Sequence, residues 1–192
     1  MKTNHWQRWA DFCATFGVPR KMLHADHKNF KIISDVHGRS YLTLAEEWIK
    51  KPCSLLLEGD PGRGKTFFMH ALVKGLLEKA EVHQICLMRS KDIDDRILAE
   101  FMQYGYSTNF LKRLADVEYL LIDDFGVQRL TERSERDWYD FVDRRIMDER
   151  VTVFSTNLDK KQFVDAFGGR IASRLEECKR IVFAGPDLRK RD

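Results

Sequence analysis

Apolar and polar positions follow two different patterns along most of the chain. Short continuous apolar runs, which are typical of buried parallel strands, lie at 53–58, 84–89, 118–123, 151–156 and 180–184. Between them, apolar residues recur every three or four positions, which is the spacing of amphipathic helices. These helices are predicted at 66–80, at 90–115 with a break near Gly105, and at 132–149, 159–167 and 170–177. The alternation predicts an α/β fold in which helices cover both faces of a five-stranded parallel sheet.

The first fifty residues follow another pattern. A helix is predicted at 4–16, ended by Gly17, with one apolar face formed by Trp6, Trp9, Phe12, Cys13 and Phe16. This face either docks on its own domain or forms a partner site. A second helix is predicted at 40–50. We therefore expect a short helical N-terminal extension over residues 1–50 and a core domain over residues 51–192.

The segment from Gly59 to Thr66 carries the most specific chemical signal. It reads GDPGRGKT, which fits the phosphate-binding P-loop pattern G-x-x-x-x-G-K-[ST]. A predicted strand precedes it and a predicted helix follows, so backbone N–H groups and the helix dipole would converge on an anion. Lys65 is then expected to reach the β- and γ-phosphates, and Thr66 to hold Mg²⁺. The predicted nucleotide-binding residues are Gly59, Asp60, Pro61, Gly62, Arg63, Gly64, Lys65, Thr66 and Phe67.

Polar residues end two of the later apolar runs. Asp123 closes the run at 118–123 and is expected to lie opposite Thr66, where its carboxylate would help to hold Mg²⁺. Asp124 follows and is placed to orient or deprotonate an attacking water. Asn157 or Thr156, at the end of the run at 151–156, is a candidate to bind the γ-phosphate or that water. A capping role for Asn157 on the next helix is compatible with this.

Two arginines share a face of a later predicted helix. Arg170 and Arg174 are separated by one helical turn. Arginine is suited to stabilising charge on a transferring phosphoryl group. The spacing alone fits a structural surface pair equally well.

Composition excludes several classes of protein. Of the 192 residues, 33% are charged and 43% hydrophobic, and no apolar run approaches the length of a membrane span. The N-terminus lacks the apolar core of a signal peptide, so we expect a cytoplasmic protein without membrane contact. A net charge of +3 does not indicate a strong polyanion binder. The four cysteines are scattered, and the positions of Cys53 and Cys86 in predicted core strands favour buried, reduced thiols.

Taken in order, these motifs resemble those of the AAA+ ATPases, and within them the DnaC/DnaI helicase loaders and the related IstB transposition ATPases. The resemblance covers about residues 17–184 and rests on GDPGRGKT at 59–66, LLIDDFGVQ at 120–128, VDRR at 142–145, FSTN at 154–157 and GGRIASRL at 168–175. It implies a three-layer P-loop AAA+ core that uses ATP and Mg²⁺. It also implies that Asp124, Asn157 and Arg174 are catalytic, with Arg174 acting on the ATP of a neighbouring subunit.

The resemblance further implies a DNA replication protein that loads the replicative helicase onto single-stranded DNA as an ATP-bridged homo-oligomer. The alternative is an IstB-like ATPase that regulates a transposase on duplex DNA. The polar block 90–115 occupies the family's position for contacts with single-stranded DNA, although a solvated helical pair fits the block equally well; the candidate side chains are Lys91, Arg96, Tyr104, Tyr106, Lys112 and Arg113. Few residues follow Arg174, so the family's helical lid is expected to be truncated or absent, with Arg189 a candidate to replace the lid's arginine.

Overall fold

The computed structural model describes residues 4–25, 40–105, 108–126 and 132–189 of the chain. The strands are Leu55–Glu58 (β1), Ile85–Arg89 (β2), Tyr119–Asp123 (β3), Val151–Thr156 (β4) and Lys179–Val182 (β5). The α-helices are His5–Phe16 (α1), Tyr41–Lys50 (α2), Lys65–Leu76 (α3), Ser90–Tyr104 (α4), Thr108–Ala115 (α5), Glu132–Met147 (α6) and Lys160–Leu175 (α7). The predicted alternation of strands and helices is confirmed, including the helix break at Gly105, which ends α4 in a left-handed conformation.

All five strands run parallel, in the order β2-β3-β4-β1-β5. The register pairs Leu57 of β1 with Ser155 of β4, and Ile122 of β3 with Phe154 of β4. The carboxyl ends of β1, β3 and β4 therefore meet at one edge of the sheet. In open α/β sheets, ligands bind in the crevice beyond such ends.

Helices cover both faces of the sheet, as predicted. Alternate strand residues point to opposite faces, so Leu55 and Leu57 share one core with α1, α2 and α3. Leu56 and Phe154 belong to the second core, which they share with α4, α5, α6 and α7. The result is the expected three-layer α/β/α arrangement.

The aromatic face of α1 docks on its own domain. Trp9 and Phe12 are buried in the same core as α3. Trp6 at the start of the helix is 65% exposed, and the ammonium group of Lys74 lies 4.7 Å from the centre of its ring. Residues of α1 and α2 share this core with α3. The division of the chain after residue 50 stays a prediction.

Two details differ from the predicted elements. The helices expected at 159–167 and 170–177 form a single helix, α7, that is interrupted at Gly168, whose φ of 80° is not helical. Cys53 is exposed because β1 begins only at Leu55, so the prediction that this thiol lies in a core strand is wrong. None of the helices in the described part of the chain combines the length and apolar character that crossing a bilayer requires.

Candidate nucleotide site

The P-loop joins β1 to α3, as its sequence predicts. Gly59, Gly62 and Gly64 all have positive φ values, of 141°, 84° and 93°, a region that favours glycine. A Cβ atom on Gly59 would lie 2.4 Å from the backbone oxygen of Phe183. The loop therefore needs glycine there for its conformation and for its close approach to the chain beyond β5.

Lys65 is the first residue of α3 and is 5% exposed. Its ammonium group donates to the carbonyl oxygens of Gly59 at 2.5 Å and Asp60 at 2.9 Å. Loss of hydration lowers the pKa of Lys65, while the nearby carboxylates of Asp124 and Asp123 act in the opposite direction. The lysine is thus held by its own loop at the edge where the two acidic residues lie.

Thr66 and Asp123 meet across the gap between α3 and β3. The Thr66 hydroxyl donates to Oδ2 of Asp123 at 2.9 Å. Hydroxyl and carboxylate oxygens are ligands that Mg²⁺ accepts, and Mg²⁺ usually takes only one or two carboxylates and completes its shell with water and phosphate. Two protein oxygens leave most of the shell of a Mg²⁺ ion open to water and phosphate, so this pair fits a metal that also binds a nucleotide.

His70 supports Thr66 from one helical turn away. Its Nδ1 lies 2.8 Å from the carbonyl oxygen of Thr66, and the side chain is almost completely buried. Burial lowers the pKa of His70, which favours the neutral ring. Because a carbonyl oxygen can only accept, Nδ1 carries the hydrogen of this bond. The apolar periodicity that predicts α3 does not predict this contact between His70 and Thr66.

Asp124 and Asn157 lie at the mouth of the site. Asp124 is exposed and has φ of 54°, and its Oδ1 lies 3.5 Å from the side-chain nitrogen of Asn157. Partial loss of hydration, followed by the charge of Asp123, raises the pKa of Asp124. Thr156 is the other candidate at this strand end. Its side chain lies on the opposite face of the sheet from that of Ser155, and its hydroxyl accepts from the N–H of Leu158 at 3.1 Å.

Sequence reasoning missed Ser155. Its hydroxyl accepts from the backbone N–H of Asp124 at 3.0 Å and donates to Oδ1 of Asp123. Alternation along β4 was the available signal, because Ser155 lies two residues after Val153 and thus on the α3 face of the sheet.

A cleft of about 730 Å³ lies in front of these groups. Its other walls come from the segment after α1, from the end of β2 and the start of α4, and from Leu188 and Arg189 near the end of the described chain. The N–H of Leu188 donates to the carbonyl oxygen of Gly62 at 3.0 Å, which fastens the chain beyond β5 to the P-loop. The volume falls within the range of small-molecule sites.

The two candidate arginines lie on α7 and have partners within the chain. Arg174 forms ion pairs with Asp143 of α6 at 2.6 Å and with Glu177 at 3.1 Å. The guanidinium of Arg170 lies 4.6 Å from the centre of the Tyr139 ring. Neither arginine is among the described residues that line the cleft.

The polar block 90–115 forms α4 and α5. Lys91 pairs with Asp95 at 2.6 Å, and Arg96 lies over the ring of Phe110 at 5.4 Å. Lys112 and Arg113 are exposed. The segment also exposes Leu98, Met102 and Tyr104, whereas Tyr106, like Val127 and Gln128 of the loader-like motif, lies outside the described residues.

The sheet order and the loop between β1 and α3 define a P-loop nucleotide-binding protein with an AAA+ core. Its sequence matches the family of IstB-like ATP binding proteins over residues 13–176. The chain belongs to this family.

Known proteins resemble the chain in sequence, and solved structures resemble it in fold. The chain is 26% identical over 164 residues to the replicative helicase loader DnaC of Buchnera aphidicola subsp. Acyrthosiphon pisum, a match that covers 83% of this chain and 66% of that protein. A crystal structure of the DnaC helicase loader superposes with a TM-score of 0.73 at 21% identity, over 86% of this chain and all of that one. The replication initiator DnaA bound to AMPPCP and single-stranded DNA gives 0.71 at 16% identity, over 84% of this chain and 50% of that one. The chain spans 53% to 66% of the length of the first curated relatives that it matches.

Proposed function

We propose that the protein hydrolyses ATP with Mg²⁺ in the cleft between the P-loop and the carboxyl ends of β3 and β4. The observation that carries this proposal is the contact between Thr66 and Asp123, at 2.9 Å, beside the buried ammonium group of Lys65. It brings a phosphate-binding loop and a carboxylate together, as Mg²⁺-dependent phosphoryl transfer requires. When bound, Mg²⁺ would neutralise developing charge on the phosphates.

The residues have separable roles in this proposal. Lys65 and the P-loop N–H groups bind the triphosphate, while Thr66 and Asp123 hold the metal. Asp124 accepts the proton of the attacking water, and its raised pKa makes its carboxylate a stronger base than an ordinary aspartate. Asn157 lies beside Asp124 and orients that water or the γ-phosphate.

Two variants test the site directly. Lys65→Ala should abolish ATP binding measured by calorimetry, because it removes the charge at the phosphates. Asp124→Asn should leave ATP binding within about twofold and slow hydrolysis about 10²–10⁴-fold, the usual contribution of a general base. Unchanged ATP affinity in Lys65→Ala would contradict the phosphate-binding role of Lys65. Unchanged turnover in Asp124→Asn would contradict the catalytic role of Asp124.

We further propose that the chain acts in DNA replication as a loader of the replicative helicase onto single-stranded DNA. Support comes from its family and from a relative named as a helicase loader. The exposed cations of α5 and the exposed aromatic ring of Tyr104 supply the charge and stacking that single strands bind. With ATP, the protein should co-elute with the host's replicative helicase in size-exclusion chromatography; failure to do so in every nucleotide state would contradict the loader role.

Arg174 is the proposed link between subunits. It lies on α7 outside the cleft of its own chain, so a nucleotide that it contacts would belong to a neighbour. Arg174→Ala should preserve ATP binding and lower hydrolysis about 10³-fold or more, as for other arginine fingers. Mixing this variant with Lys65→Ala should restore part of the activity, because one chain supplies the arginine and the other the P-loop. A mixture without activity would refute action in trans.

The second candidate function is the regulation of a transposase on duplex DNA. The family's own description as IstB-like favours it. Fluorescence anisotropy with labelled single-stranded and duplex oligonucleotides of equal length separates the two functions. Tighter ATP-dependent binding to the duplex would support the transposase role and contradict loading on single strands.

A further inference from the structure

Ser155 is a buried serine of β4 whose hydroxyl contacts both acidic residues of the site. It has no exposed surface. Its Oγ accepts from the backbone N–H of Asp124 at 3.0 Å and donates to Oδ1 of Asp123. Its carbonyl oxygen accepts from the N–H of Phe125 at 2.7 Å. One residue therefore binds three consecutive positions at the end of β3.

The direction of each bond follows from the atoms involved. A backbone N–H can only donate, so Ser155 receives the bond from Asp124 through a lone pair of its oxygen. Its single hydroxyl hydrogen then points to Asp123, whose Oδ1 accepts it. The other carboxylate oxygen, Oδ2, accepts from Thr66 at 2.9 Å. Two hydroxyl groups on opposite sides thus fix the plane of the Asp123 carboxylate.

The same serine also supports an unusual backbone conformation. Asp124 has φ of 54°, in the left-handed region that residues other than glycine rarely adopt. Such conformations persist where the surroundings hold them, and they are common at active sites. The bonds from the N–H groups of Asp124 and Phe125 to Ser155 hold this turn against β4.

We infer that Ser155 is a positioning residue, which aims the Asp123 carboxylate at the metal position and holds the Asp124 carboxylate at the mouth of the cleft. This inference rests on the proposed function, in which Asp123 holds Mg²⁺. Ser155 acts through the two acids and does not touch the nucleotide itself. Hydrogen-bond partners of metal ligands commonly contribute 10–100-fold to metal affinity or activity.

The other hydroxyl groups of β4 serve different purposes. Thr152 accepts from Arg145 at 2.8 Å on the α6 side of the sheet, and Thr156 accepts from Leu158. Ser54 provides a closer comparison, because its hydroxyl also accepts a backbone N–H of β4, that of Thr152, at 3.1 Å. It lies at the amino end of the sheet, away from the acids. Ser54→Ala is therefore a matched control for Ser155→Ala.

The test is the gain in ATP affinity that Mg²⁺ produces, measured by calorimetry of the full chain with Mg²⁺ and with EDTA. Ser155→Ala should reduce this gain about 10-fold, while affinity in EDTA stays within twofold. Ser155→Thr, which keeps the hydroxyl, should restore most of the gain. Ser54→Ala should leave it unchanged, even where thermal unfolding shows that both alanine variants are destabilised. A merely structural role for Ser155 would not separate the two alanine variants in this way.

A double-mutant cycle tests whether Ser155 acts through Asp123. In an Asp123→Asn background, Ser155→Ala should change the Mg²⁺-dependent gain by less than twofold, because the oriented carboxylate is already lost. A Ser155→Ala variant that keeps the wild-type gain would overturn the inference and leave the proposed ATPase intact. If the wild-type protein shows no Mg²⁺-dependent gain at all, the proposed metal site fails, and the inference fails with it.

Discussion

Arg145 provides a prediction whose size can be worked out from its contacts. The side chain is 1% exposed, and its guanidinium donates five hydrogen bonds, all to neutral oxygens. Two acceptors are carbonyl groups at the end of α5, one is the carbonyl of residue 117 just before β3, one is the carbonyl of residue 151 at the start of β4, and one is the Thr152 hydroxyl. Burial lowers the pKa of Arg145 to about 10, so it remains charged at pH 7. One side chain therefore joins a helix end to two central strands.

The substitution Arg145→Lys keeps the charge but removes the planar group that makes this set of bonds possible. An ammonium group has three hydrogens on a flexible stem, so about two of the five bonds are lost. Each hydrogen bond from a charged group contributes about 1.5–3 kcal/mol, which gives a loss of about 3–6 kcal/mol. Since domains are typically stable by only about 5–15 kcal/mol, the effect is readily measurable.

Urea unfolding at pH 7, followed by circular dichroism, measures this loss as a shift in midpoint at constant m-value. The neighbouring Arg144 is a matched control, because it is partly exposed and pairs with Asp116 at 2.6 Å and Asp148 at 3.5 Å. Arg144→Lys should cost less than about 1 kcal/mol, as surface ion pairs do. The reasoning would be refuted if the two substitutions cost the same, or if Arg145→Lys cost less than about 1 kcal/mol.

Three further predictions concern other parts of the molecule. Because its pKa is raised in the folded state, ionised Asp124 destabilises the fold at neutral pH, so Asp124→Asn should raise the thermal midpoint at pH 7. This gain should shrink as pH falls through the raised pKa, and a gain that stays constant down to pH 4 would contradict the assignment. A thiol reagent should label the exposed Cys53 quickly, while buried Cys178, whose pKa is raised to about 12, reacts only after unfolding; mass spectrometry of the labelled peptides distinguishes them. Gly75→Ala places a Cβ 2.2 Å from Cδ1 of Ile49, so overpacking of about 1–3 kcal/mol should outweigh the helix gain of about 0.5–1 kcal/mol and lower stability in urea; an unchanged or higher midpoint would show that the Ile49 side chain moves aside at little cost.

The sequence was most informative where a local pattern determines the structure. Continuous apolar runs predicted all five strands, and the glycine-rich motif predicted the turn between β1 and α3. These features depend on neighbours in the chain, which hydrophobic periodicity and backbone sterics capture directly. The position of Asp123 opposite Thr66 was also predictable, since it follows from the parallel arrangement of the strands.

Contacts between distant segments were not predictable in the same way. The bonds of Ser155 require the register between β3 and β4, and the contact of Leu188 with Gly62 depends on the path of the chain after β5. The exposure of Cys53 depends on the start of β1 two residues later than the apolar run suggests. In each case the local sequence was compatible with several roles for the residue, and its position in the folded chain decided between them.

The ion pairs of Arg174 have a consequence for the assembly proposed above. An arginine that leaves Asp143 and Glu177 to reach a neighbour's phosphate exchanges one set of charged partners for another. The net free energy of contact is then a difference between two similar quantities, so the contact of Arg174 with a neighbour is weak and easily reversed. Asp143 and Glu177 would in this way raise the ATP concentration at which the subunits join.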